Sequence, residues 1–172
     1  MATVEKNLSK YDSLTLPDAS SMRIGIVVSE WNAEITDNLL LGALSVLKEA
    51  GITEENLQIV NVPGTYELPT GAALFFEYYK MHGVITLGSV IRGETAHFDF
   101  VCQAAAQGVK DVALKYLRPV IFGVLTDDTK QQGLDRSGGK HGNKGTEAAV
   151  ACLQMVALQM AMMSSGKSKE KA

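Results

Sequence analysis

Thiol and imidazole groups are scarce in this chain. Its two cysteines, Cys102 and Cys152, stand fifty positions apart with no CxxC spacing, and its three histidines are scattered. That excludes a disulfide framework, and no metal is expected, because neither cysteine has a histidine placed to share one. Both cysteines fall inside helical patterns among apolar neighbours and read as buried, reduced thiols. Excess basic charge is lacking too. A formal charge of −3 leaves no basic stripe and argues against a nucleic-acid binder held by phosphate contacts. No charged-then-apolar leader opens the chain and no apolar run reads as membrane-spanning, so the expectation is a cytoplasmic protein with no membrane or nucleic-acid partner.

What is present is alternation. Ile24 to Val28 reads as a buried strand, followed by a helix with Ile35, Leu39, Ala43 and Leu47 at four-residue intervals and a stop at Gly51. Leu57 to Val62 is a second strand ended by Pro63-Gly64. A helix through Gly71 to Tyr79, a strand from Val84 to Leu87 and a helix from Ala96 to Tyr116 come next. Pro119 opens a fourth strand, Val120 to Leu125. A short helix ending at Gly133 and a long one from Thr146 to Met163 close the pattern. Strands alternating with helices at this spacing predict an α/β fold, a three-layer sandwich around a central parallel four-stranded sheet. Residues 22–163 form one domain. Residues 1–21 are polar, with a short strand at Leu14-Thr-Leu16, and the charged tail 164–172 is expected to be disordered. The last helix is apolar on nearly every side, which leaves a buried core helix and a subunit contact equally open.

In open parallel sheets, ligands bind beyond the carboxyl ends of the strands. Trp31, Tyr66, Glu67, His97 and Thr126 all follow or close strands and gather there. The stretch from Gly88 to Phe98 is the most informative. Gly93 permits close backbone approach, Thr95 is a good helix N-cap, and His97 sits in the first turn. A helix start offers unpaired N–H groups to a phosphate or carboxylate and disfavours a positively charged imidazole, so a histidine there serves as a base. The lone tryptophan, Trp31, is either core or a stacking surface for a planar heterocycle, with Asn32 capping the next helix. Pro63 to Pro69 is a stiff turn presenting Thr65, Tyr66 and Glu67. Glu67 either complements the helix dipole or recognises a polyol. Arg136 precedes a glycine-rich run, Gly138 to Gly145, that carries Lys140 and Lys144. This run suits an anion but is not a P-loop, since it lacks the Gly-Lys-Ser/Thr ending. Arg92, beside Gly93, either binds phosphate or is a solvated loop arginine, and His82 and His141 read as surface residues without partners.

Four stretches, in order, carry a resemblance to the lumazine synthases: Ile26-Val-Val-Ser-Glu-Trp-Asn32, Val62-Pro-Gly-Thr-Tyr-Glu-Leu-Pro69, Gly88-Ser-Val-Ile-Arg-Gly-Glu-Thr-Ala-His-Phe98 and Arg136-Ser-Gly-Gly-Lys-His-Gly-Asn-Lys-Gly145. The match runs from about Met22 to Met163. The resemblance implies a flavodoxin-like fold and a cofactor-free condensation of 5-amino-6-ribitylaminouracil with 3,4-dihydroxy-2-butanone 4-phosphate. It implies that Trp31 stacks on the pyrimidine and that Asn32, Val90 and Ile91 meet its polar edge. Thr65, Tyr66 and Glu67 then face the ribityl chain. Glu94 and Thr95 give backbone N–H groups to the phosphate, and Arg136 supplies the cation. His97 is the proton shuttle, while Phe122 and Lys144 close the pocket from the adjacent subunit together with Arg136. The resemblance further implies two small-molecule substrates, a homopentamer that some relatives build into a sixty-subunit shell, an N-terminal strand joined to a neighbour's sheet, and association with riboflavin synthase. The compact loop from Arg136 to Gly145 favours the shell. A non-catalytic flavin carrier and a structural cage are the rival classes, and the joint presence of His97, Arg136 and Lys144 argues against both.

Overall fold

The computed structural model describes Asn7 and residues 9–169, with side chains up to Ser165. Four strands, β1 (Ile24–Ser29), β2 (Leu57–Val62), β3 (Gly83–Ile91) and β4 (Val120–Asp127), form one parallel sheet in the order β2-β1-β3-β4. The register starts with Ile24 opposite Leu57 and Gly83, and Val84 opposite Val120. All six residues of β1 are buried, as expected of a central parallel strand covered on both faces.

Five helices flank or cap the sheet: α1 (Ala33–Glu49), α2 (Leu68–Tyr78), α3 (His97–Tyr116), α4 (Lys130–Arg136) and α5 (Lys144–Lys169). Side chains alternate between the faces of a strand, so Ile24, Ile26 and Val28 of β1 meet α1 and α5, through Ile35, Leu39, Leu47, Cys152 and Leu153. Val27, Val84 and Val124 face the other way, onto Leu68, Ala72 and Phe75 of α2 and Val109 of α3. These two cores make the three layers expected from the alternation.

Several local expectations are corrected. Gly88 does not end β3. The strand runs on to Ile91, and a Cβ at Gly88 would lie 2.8 Å from Thr65 Oγ1 and 2.9 Å from Leu68 Cδ1. Glycine is needed there because the turn after β2 presses onto the strand. Leu14-Thr-Leu16 is no strand in the chain by itself. Ser13–Thr15 is a single 3-10 turn capped by Asp12, with Leu14 fully in solvent. The glycine-rich run is not a plain loop but a small antiparallel hairpin, β5 (Ser137–Gly139) and β6 (Gly142–Asn143). Asn143 locks it in place. Its Nδ2 donates to Asn38 O (2.8 Å) and Ser137 O (3.2 Å), while its Oδ1 accepts from Gly145 N (2.8 Å) at the start of α5.

Helix α5 begins earlier and ends later than its periodicity suggests, continuing past Ser164 into the stretch read as a disordered tail. Lys144–Ser165 also reaches the length and composition of a membrane span, contrary to the expectation that no such stretch exists. It is a core helix along one side, where Ala148, Ala149, Cys152, Leu153 and Val156 are buried. Met155, Leu158, Met162 and Met163 are exposed on the other. Cys152 is fully buried as expected, and desolvation pushes its thiol up to about 12, whereas Cys102 is only half-buried. His82 is not a free surface residue. Its Nδ1 accepts from Arg23 N (2.9 Å), and burial together with the nearby Arg118 and Arg23 lowers its pKa.

Candidate active site

The sheet order puts a topological switch between β1 and β3. The chain leaves β1 through α1 towards β2, then returns through α2 on the opposite face to β3. Loops diverge at such a point and leave a crevice beyond the strand ends. Here the crevice is a cleft of about 600 Å³, walled by the turn Pro63–Glu67, by Ser89, Val90 and Ile91 of β3, and by Gly93, Thr95, His97, Phe98 and Val101, with Trp31 at the end of β1. The Trp31 and Tyr66 rings stand at its rim, 72% and 63% exposed, so neither is a core residue. A tryptophan held in solvent beside an apolar wall offers a flat stacking face.

Two buried hydroxyls lie behind that wall. Thr65 Oγ1 and Ser89 Oγ are buried without a hydrogen-bond partner among the described residues. Neither oxygen is open to the cleft, and Thr65 Oγ1 faces Gly88 on β3. Nothing in the sequence singles out Ser89, because its burial depends on residues distant along the chain. The Gly93 backbone is open: a Cβ there would find no atom within 4 Å.

Asn32 and Thr95 behave differently from expectation. Asn32 is not a side-chain cap for α1. It adopts a left-handed conformation (φ 63°, ψ 44°), and its Nδ2 donates to Ser89 O (3.0 Å), tying the end of β1 to β3. Thr95 is not the N-cap residue of α3, which is Ala96, although its Oγ1 accepts weakly from His97 N at 3.4 Å. Neither Asn32 nor Glu94 lines the cleft. His97 opens α3 with an exposed ring that has no side-chain hydrogen bond among the described residues. The arginine in this stretch is anchored rather than simply solvated. Arg92 Nε meets Asp128 Oδ1 at 2.9 Å, Nη1 meets Asp99 Oδ1 at 3.3 Å, and the guanidinium lies 4.1 Å from the Phe98 ring centroid.

Phe122, Arg136 and Lys144 fall elsewhere. They line a second cleft, of about 550 Å³, along edge strand β4, α4 and the hairpin, with Thr126, Asp127, Gln132 and His141. Lys144 Nζ is paired with Glu147 (2.8 Å) and Lys140 with Asp135 (2.9 Å), but Arg136 makes no ion pair or side-chain hydrogen bond among the described residues. The Lys140 and Gln131 contacts hold the Asp135 carboxyl below the usual range. One chain thus carries a stacking, apolar-walled cleft and, apart from it, a cleft with an unengaged guanidinium.

A switch-point crevice beyond a three-layer parallel sheet, with a histidine at its mouth, is the place where α/β enzymes hold small-molecule substrates. The family profile described as 6,7-dimethyl-8-ribityllumazine synthase matches residues 21–160. Proteins of that name from Parabacteroides distasonis and Cytophaga hutchinsonii are 51% and 52% identical to the chain, each alignment covering 91% of the chain and 98% of the relative. One from Flavobacterium psychrophilum is 51% identical over 92% of the chain and 84% of its own length. The chain belongs to the 6,7-dimethyl-8-ribityllumazine synthase family.

Proposed function

We propose that this chain is a transferase of riboflavin biosynthesis that condenses 5-amino-6-(D-ribitylamino)uracil with 3,4-dihydroxy-2-butanone 4-phosphate, giving 6,7-dimethyl-8-ribityllumazine, phosphate and water. The observation that carries this reading is the convergence of Trp31, Thr65, Glu67 and His97 on one crevice in a chain half identical to synthases of that name. Trp31 stacks on the pyrimidine, and backbone groups of Val90 and Ile91 meet its polar edge with Asn32 behind them. Thr65, Tyr66 and Glu67 take the ribityl hydroxyls. Phosphate sits on the N–H groups of Glu94 and Thr95, facing Arg136.

The amine attacks the ketone and an imine forms with loss of one water. Removal of the C3 proton expels phosphate with its C–O electron pair, the resulting enol becomes a carbonyl, and the ribitylamine attacks it to close the ring with loss of a second water. Each step moves a proton, which the exposed imidazole of His97 can take and return. Most of the acceleration comes from alignment of the two substrates, an effect of up to ~7–11 kcal/mol in favourable cases. No cofactor takes part.

Phe122, Arg136 and Lys144 complete the site from an adjacent subunit. Two features support this. Those residues line a cleft separate from Trp31 and His97, and exposed apolar side chains (Phe100, Leu114, Leu117, Leu158) offer contact surface. The edge strand β2 is exposed along its middle, with Ile59 and Val60 uncovered, and would accept a neighbour's N-terminal segment. The assembly is a homopentamer built further into a shell, located in the cytoplasm and able to associate with riboflavin synthase. Mixing the two substrates with the protein and following product fluorescence tests the activity, and absence of any product would refute it. Sedimentation that finds only a pentamer removes the shell.

A further inference from the structure

The second cleft contains a group to which the reaction gives no role. Asp127, the last residue of β4, is 6% exposed, and its Oδ2 is buried without a hydrogen-bond partner among the described residues. The backbone around it is well determined. Asp127 pairs in register with Ile91, and its carbonyl oxygen accepts from Arg92 N at 2.9 Å, so the carboxyl is held at the carboxyl end of β4. On its other side lies Gly133 of α4, where a Cβ would approach Oδ2 to 3.3 Å and Ile35 Cδ1 to 2.6 Å. The glycine leaves the carboxyl room but supplies no donor. Asp127 and Arg136 line the same cleft. Burial raises the Asp127 pKa, the Arg136 charge pulls it back down, and neighbouring Asp128 raises it again.

A buried carboxylate usually finds a cation or donors, because leaving it unpaired costs free energy. Here Arg136 lines the same cleft and its charge acts on Asp127, but the two form no ion pair among the described residues. The arrangement acquires a purpose if an anion comes and goes between them. Phosphate is both part of one substrate and a product. An unopposed guanidinium would hold the product as readily as the substrate, and equal binding of both does not speed turnover.

We propose that Asp127 is a positioning residue that partly offsets the charge of the Arg136 guanidinium, weakening the grip on inorganic phosphate so that this product leaves. This rests on the assignment of Arg136 to phosphate. The carboxylate acts through its field, lowering the net positive charge that the bound dianion meets at Arg136, without touching the reacting atoms.

The test is Asp127→Asn in the full-length enzyme at pH 8, with inorganic phosphate as the probe. Removing one negative charge at this range should tighten phosphate inhibition about fivefold. The KM for the phosphate-bearing substrate should fall with it, and kcat should fall as release slows. Asp127→Ser, which also removes the charge, gives the same pattern if the Asn variant folds poorly. A variant with lowered thermal stability but unchanged phosphate inhibition and KM would show a merely structural carboxyl and overturn the inference. If inorganic phosphate fails to inhibit even the unaltered enzyme, the Arg136 assignment falls and this inference falls with it.

Discussion

The two clefts of this chain are built from opposite materials. The first sits at the switch point between β1 and β3 and shows rings and apolar walls. The second follows the edge strand β4 and is lined with charge, with Lys140 and Lys144 each engaged by a carboxylate and Arg136 in no ion pair among the described residues. The contrast shows how one chain can handle two dissimilar substrates. A flat, uncharged ring gains by leaving water for an apolar face, whereas a phosphate needs fixed positive charge and N–H donors. A single small pocket would serve one at the expense of the other. In the proposed assembly the Arg136 cleft of one subunit is brought against the Trp31 cleft of the next, so that fixed charge is added beside the apolar face without being built into it.

Arg136→Ala should break that contrast most severely. Loss of a charged hydrogen-bonding partner costs about 2–3 kcal/mol, or roughly a thirty- to hundred-and-sixtyfold rise in KM for the phosphate substrate, with the pyrimidine substrate little affected. Steady-state kinetics with each substrate varied in turn measure this, and an unchanged KM for the phosphate substrate would show the assignment to be wrong. His97→Ala should slow turnover by less than the ~100-fold typical of the weaker general acid–base cases, because alignment survives the change. Single-turnover rates that drop far beyond that would make proton transfer, not alignment, the main source of acceleration.

Trp31→Ala sharpens the comparison from the other side. It should raise KM for the pyrimidine substrate by about tenfold, from ~1.5 kcal/mol of lost stacking, and leave inorganic phosphate inhibition as it was. A loss of phosphate inhibition in this variant would mean that the two functions are not separable. The smallest effect concerns a group outside both clefts. His82 has a folded pKa below its ordinary 6.5, so below that value the unfolded chain binds the extra proton more readily. Its contribution to stability is complete above pH 6.5 and is lost as pH falls through that value towards the folded one. Thermal melts between pH 7.5 and 5.5 should show this slope, reduced in His82→Asn, while the relative KM values of the two substrates stay put. An identical slope in the variant would assign it to other groups.

Much of the fold was legible because its signals are local. The buried run of β1 and the four-residue spacing of α1 each encode a face to be covered, and β2 lies at its expected residues. Errors arose where a distant residue decides. Gly88 looks like a terminator until Thr65 and Leu68 are packed against it. The hairpin β5–β6 is too short to show a period and is held by Asn143 reaching Asn38 on α1. Asn32 reads as a helix cap, but its amide is taken by Ser89, fifty-seven residues away. For the candidate site, motif order named Trp31, Glu67, His97 and Arg136. It missed Ser89 and Asp127, whose significance lies in being buried without partners.

By itself, the sequence determined the alternation of strands and helices, the buried faces and the family, since periodicity and motif spacing depend only on neighbours along the chain. Only the tertiary structure decided which strand ends lie side by side. The order β2-β1-β3-β4 gathers Trp31, Thr65, Glu67 and His97 into one crevice and puts Phe122, Arg136 and Lys144 in another beside the edge strand. The physical reason is that strand order is set by how crossovers bury both faces of the sheet, a long-range packing condition that no local stretch of residues contains.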